Sequence, residues 1–231
     1  MSSNQTGLTV TNSNQVSLPA VLGIPVPEGF EVTVGNSRHQ QCKYVRVLSQ
    51  SYDTKDNQND NPGQFREFLS LRKMAATILP VCASEGKYLL IRQFRFPAYY
   101  NALNSLVPII GANAEEDGWL YETIAGVIEP GDTPEATVIR EAKEEGDVDI
   151  DINDIRKVHE AYMTPGITNE VCHLYLGMVD KTSAIGTTGL ASEQEQIRAK
   201  WMTRQEIQDL FNKGLIRDCK TIMALYAARV L

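Results

Sequence analysis

Arg140-Glu141-Ala142-Lys143-Glu144-Glu145 is the stretch whose residue types and spacing could do chemistry. In a helix, positions three and four apart share a face. Glu141, Glu144 and Glu145 then lie on one edge, within an arc of roughly 100°. Val138, Ile139, Ala142 and the stem of Glu135 are expected on the other side, ready to pack on a sheet. Carboxylates at such spacing repel one another. A divalent cation removes the repulsion, and hard oxygen ligands suit Mg²⁺ or Mn²⁺. Taken alone, the stretch reads more readily as a solvated acidic face.

The surrounding sequence predicts the elements that hold these residues. A glycine-rich turn, Gly126-Val-Ile-Glu-Pro-Gly131, precedes a helix that starts at Pro134, where the missing N–H would be unpaired anyway. Alternation predicts strands over 75–81 and 87–96, a third over 119–129 leading into the turn, and later strands over 155–162 and 171–179. Two closing helices are expected over 204–212, capped by Thr203, and over 219–230. The segment 101–118 reads as a long loop with a role at the site or at a subunit contact. His159 and His173 fall in strands and read as core or structural residues. Residues 1–28 form a polar arm, 30–51 contain strand-like alternation, and 53–63 is a polar loop. The expected organisation is an amino-terminal arm and small β-rich subdomain over 1–73, followed by an α/β domain over 74–231.

The bulk composition narrows the class. The chain has 231 residues, 42% of them hydrophobic, and a net charge of −7. The acidic balance argues against broad nucleic-acid binding, which needs a basic face. No run reaches the roughly 18 apolar residues of a membrane span, and the start lacks the pattern of a secretory signal. Cys42, Cys82, Cys172 and Cys219 are scattered, as expected of reduced thiols in the cytoplasm.

The stretch from Gly126 to Val148 resembles the Nudix box: Gly, five residues, Glu, seven residues, Arg-Glu, an aliphatic, any residue, Glu-Glu, any residue, Gly and an aliphatic. Gly126, Arg140, Glu141, Ala142, Glu144, Glu145 and Val148 stand in register. Asp132 replaces the first Glu. The glycine comes one position early, at Gly146 rather than at Asp147, which suggests a helix ending at Gly146 as its left-handed cap. Leu90-Ile-Arg-Gln-Phe-Arg-Phe-Pro-Ala-Tyr99, Trp119-Leu-Tyr-Glu-Thr-Ile-Ala-Gly126, Tyr162-Met-Thr-Pro-Gly166 and the 189–197 segment resemble the ADP-ribose and nucleoside diphosphate sugar pyrophosphatase branch of the superfamily.

The resemblance implies an α/β/α sandwich with a mixed sheet, a homodimer, and Mg²⁺-dependent cleavage of a nucleotide sugar, with Mn²⁺ as the other candidate ion. Glu141, Glu144, Glu145 and the Ala125 carbonyl would hold the metal, and Arg140 would orient the glutamates. Glu193 would be the general base, and Glu195 would approach the metals. Arg92 and Arg95, three apart in a strand, would face opposite sides; Arg95 is the one expected at the diphosphate, with Trp119 and Tyr99 as stacking candidates. ADP-ribose is the first substrate expected, with Pro165 at the spacing seen in its hydrolases. The alternatives are UDP-glucose or GDP-mannose, or a module that binds ADP-ribose without cutting it.

Overall fold

The computed structural model describes residues 45–55, 60–71, 74–111, 113–183, 187–188 and 197–231. Glu193 and Glu195 lie outside the described residues, as do the arm and the part of the 30–51 alternation before residue 45. The chain divides into two units. The smaller contains the antiparallel pair β1 (Val45–Lys55) and β2 (Asp60–Leu71), with Gly166–Asn169. These strands take in most of the polar 53–63 stretch, of which 56–59 is not described. Antiparallel pairing satisfies the backbone there without requiring apolar side chains.

The larger unit, Lys73–Pro165 with Glu170–Leu231, holds the chemistry. Its strands are β3 (Ala75–Cys82), β4 (Lys87–Phe94), β5 (Trp119–Glu122), β6 (Ile124–Val127), β7 (Ile155–Tyr162), β8 (Val171–Met178), β9 (Thr187–Thr188) and β10 (Ile197–Thr203). They join in one mixed sheet with the order β7-β8-β3-β4-β10-β9. β3 and β4 pair only beside their turn, through Val81↔Tyr88 and Cys82↔Lys87, and then diverge. The gap is filled by β6 along β3 and by β5 along β4, both antiparallel. One continuous strand cannot follow two diverging partners, so the expected 119–129 strand is broken at Thr123.

Helices cover both faces. One face carries α3 (Pro134–Gly146), whose Val138 and Ala142 pack with Ile78, Leu89, Ile91, Ile124 and Ile197. The other carries α4 (Arg204–Asn212) and α5 (Cys219–Ala227), whose Ile207, Ala224 and Leu225 pack with Leu79, Leu90 and Leu174. The fold is the expected α/β/α sandwich. Thr203 caps α4 in a reciprocal box with Glu206. In the first turn of α3, Glu135 accepts a 2.5 Å hydrogen bond from the hydroxyl of buried Tyr175, tying helix to sheet. No described helix is long and apolar enough to cross a membrane.

Residues 96–118 are more ordered than expected. The strand stops at Phe94, and Phe96–Leu103 forms a helix, α1, with Pro97 in its first turn; Ala114–Gly118 forms a short helix, α2. Between them Leu106, Val107, Ile109 and Ile110 are exposed. Buried Asp117 accepts from the Ile110 and Gly111 N–H groups at 2.9 and 2.7 Å and pairs with Arg217. His159 is exposed rather than in the core, because β7 is the sheet's edge strand; His173 is partly buried, with its Nδ1 3.3 Å from Glu160.

The end of α3 differs from expectation. Gly146 is helical, and the left-handed residue is Asp147, at φ 48° and ψ 40°. A Cβ on Gly146 would stand 2.7 Å from Ile124 Cδ1 and 2.9 Å from Leu89 Cδ2. Gly146 is therefore a packing residue, and Asp147 adopts the conformation that glycine favours. Replacing Asp147 by glycine relieves a left-handed penalty of about 1 kcal/mol. The Lys143–Asp147 pair it removes is exposed and screened by solvent, so its loss offsets little of this gain. Asp147→Gly is expected to raise stability by roughly 0.5–1 kcal/mol in urea denaturation; a loss of stability would remove the strain assignment.

Candidate active site

Helix α3 lies against β6, and the contact is set by Gly126. A Cβ on this residue would stand 1.9 Å from Glu141 Oε1 and 2.4 Å from its Cγ. The absence of a side chain lets the Glu141 carboxylate lie directly on the strand. One helical turn later, Glu145 Oε2 accepts the Ala125 N–H at 3.2 Å. Glu145 is only 4% exposed, on the same face as Val138 and Ala142. The expectation that the apolar residues fall on the opposite side is corrected: an arc of roughly 100° runs from the edge into the helix–sheet seam. Glu144 stands at the edge, where Arg140 Nη1 meets it at 2.8 Å and Glu141 at 2.9 Å.

This arrangement brings together Ala125, Arg140, Glu141, Glu144 and Glu145. Among the described residues no three His, Cys, Asp or Glu side chains close on one metal-sized point. Glu144 is drawn to Arg140 and Glu145 to the Ala125 amide. The donor set is nonetheless all hard oxygen, running from the helix edge into the seam above Gly126, and its chemistry fits a hard divalent cation.

Arg95 is fixed by a route outside the box. Rather than extending a strand, it is the residue before α1, and its Nε and Nη2 form a bidentate pair with Glu122 at 2.7 and 2.8 Å. Glu122 is 2% exposed, while the Arg95 side chain remains 41% exposed. The Arg95 pKa is raised, first by the hydrogen bonds to Glu122 against the effect of burial, and then by the negative charges of Glu122, Glu145 and Asp218. Its fixed positive charge therefore belongs to the same electrostatic field as Glu145. Glu122 is a residue that sequence reasoning missed; the available signal was a lone acid inside the apolar run Trp119-Leu-Tyr-Glu-Thr-Ile, which needs a cationic partner if buried.

Arg92 and Trp119 occupy the other face. Pairing of Ile91 with Glu122 and of Arg92 with Tyr121 puts Glu122 on the side of α3 and Arg92 on the side of α4 and α5. There Arg92 lies 5.0 Å over the Tyr121 ring and bonds Glu116. Arg198 lies 5.7 Å over the Trp119 ring. Tyr99 and Trp119 both pack on Phe94, with ring centroids 5.6 and 5.8 Å away. The structure thus separates Arg92 and Trp119 from the carboxylate group, in contrast to Arg95.

Glu122→Gln keeps the shape of the Arg95 partner and removes its charge. The weakened pairing, buried on the Glu122 side only, is expected to cost about 1–2 kcal/mol, read from denaturant melts; unchanged stability would show that Arg95 does not depend on Glu122.

Comparison with known proteins extends the likeness beyond the box. Residues 71–219 match the NUDIX domain. A GDP-mannose pyrophosphatase of Yersinia enterocolitica is 33% identical over 187 residues, covering 81% of this chain and 89% of the relative. One from Yersinia pestis is 31% identical over the same length, covering 81% and 86%. One from Salmonella arizonae is 32% identical over 154 residues, covering 67% and 72%. With its box glycine pressed under Glu141, its Arg140-centred carboxylates and this extent of match, the chain belongs to the Nudix family.

Proposed function

We propose that this chain is a Mg²⁺-dependent hydrolase of the pyrophosphate bond of nucleoside diphosphate sugars. The observation that carries the reading is the placement of Glu141 and Glu145 in the α3–β6 seam, within the field of Arg95. GDP-mannose is the first substrate to test, because relatives matching 81% of the chain carry that name. ADP-ribose, first on the sequence motifs, becomes the second, supported by the Pro165 spacing.

Glu141, Glu144, Glu145 and the Ala125 carbonyl would hold the cation; when bound it supplies charge neutralisation at the phosphates and a more acidic water. Arg140 keeps Glu141 and Glu144 oriented. Arg95 directs its guanidinium at the diphosphate through Nη1, the nitrogen outside the Glu122 fork. Glu193 is the proposed base and Glu195 a second acid near the metals. Products would be a nucleoside monophosphate and a sugar phosphate. A cytoplasmic homodimer is the form in which we propose that it works.

The test is incubation with Mg²⁺ and a panel of GDP-mannose, ADP-ribose, UDP-glucose, NADH and ATP in ¹⁸O water, with products read by mass spectrometry. Cleavage of GDP-mannose to GMP and mannose 1-phosphate, one of them labelled, is expected. Binding of ADP-ribose without cleavage of any compound would replace this reading with a sensor. Glu145→Gln is expected to lower kcat at least about a hundredfold while the fold is kept; near-normal turnover would remove the metal-site assignment. Glu193→Gln should lower kcat with metal affinity near that of the unmodified chain. If Glu195→Gln does this instead, the two roles are exchanged.

A further inference from the structure

We infer that Thr221, in the last helix, is a positioning residue for the carboxylate site; this rests on the hydrolase activity proposed for that site. Thr221, Thr123 and Thr77 are all fully buried. Thr221 lies 98 residues from Thr123, yet its Oγ1 accepts the Thr123 N–H at 2.8 Å. That N–H sits at the break between β5 and β6, where neither flanking strand provides its partner.

Every proton in the network can be assigned, because a hydroxyl has one to give. Thr221 donates to Asp218 Oδ2 at 2.7 Å, so its lone pair is free for the Thr123 amide. Thr77 donates to the Ile124 carbonyl at 2.7 Å. In the 2.8 Å contact between Thr77 and Thr123 the proton therefore comes from Thr123. Asp218 is itself held by the Thr221 N–H at 2.9 Å and by Lys220 Nζ at 2.6 Å. Asp218 is the N-cap of α5, so the network connects a helix terminus to the broken strand.

The residues on either side of Thr123 explain why this matters. One position before it, Glu122 fixes Arg95. Two positions after it, the Ala125 N–H binds Glu145, and Gly126 receives Glu141. A shift of the Thr123 peptide would move the arginine anchor and the carboxylate anchor together. Thr221 holds the peptide between them, and through Asp218 it also holds a charge that acts on Arg95.

Thr221→Val keeps the side-chain shape and removes the hydroxyl. The expected result is a kcat lower by roughly tenfold to a hundredfold with KM within about twofold, as misplacement of a catalytic constellation produces. Mn²⁺ binding, followed by calorimetric titration of the protein without nucleotide, should weaken, and Thr221→Ser should restore both. A folded Thr221→Val protein with unmodified kcat and Mn²⁺ affinity would overturn the inference. Amide hydrogen exchange of the unmodified chain tests the network even if the valine variant does not fold. The Thr123 and Ala125 amides should exchange as slowly as those of the central strands, and rapid exchange at Thr123 would also overturn it. If the unmodified chain cleaves no nucleotide sugar, the proposed activity falls, while exchange and Mn²⁺ titration still judge the network.

Discussion

The close approach of α3 to the sheet is the constraint on which the rest of the structure depends. Two glycines permit it: Gly126 on the strand, beneath the Glu141 carboxylate, and Gly146 on the helix, against Ile124 and Leu89. Side chains at either place would force the layers apart. With the layers in contact, Glu145 is enclosed where carboxylates are rarely found, and it reaches the Ala125 amide. A helix otherwise packed through Val138 and Ala142 thereby presents its acids at a seam rather than to open solvent.

The splay of β3 and β4 is the second half of the design. It opens the sheet so that β5 and β6 can enter as two short pieces, and the break between them leaves backbone groups needing partners. Threonines supply these, from β3 on one side and α5 on the other. The Glu122–Arg95 pair, buried at its carboxylate, emerges at the same break. Charge accumulates here because the polar groups are paired in fixed geometry, which makes burial tolerable.

Much of this is legible in the sequence, for physical reasons. The box, the start of α3 at Pro134 and the capping of α4 by Thr203 are local signals, complete within a few residues. Helix α1 is hidden because Phe96-Pro-Ala-Tyr-Tyr continues the aromatic character of the preceding strand; Pro97 is the sign of a helix start. That shift takes Arg95 out of the strand, where alternation no longer governs its direction. A helical arc alone places Glu145 at the edge, since it says nothing about where the sheet cuts across it. Thr221 carries no local sign at all, because its partner lies 98 residues away. Glu193 and Glu195 fall outside the described residues.

The loop between α1 and α2 shows how a stretch outside the sheet keeps its course. At its far end Asp117 gathers the Ile110 and Gly111 amides and faces Arg217. The residues from Leu106 to Ile109 contribute no strand to the sheet. Substitutions between Leu106 and Ile109 therefore leave the hydrogen bonds of the sheet untouched, so long as Asp117 is kept. Asp117 thus fixes the course of a stretch that the sheet itself does not hold.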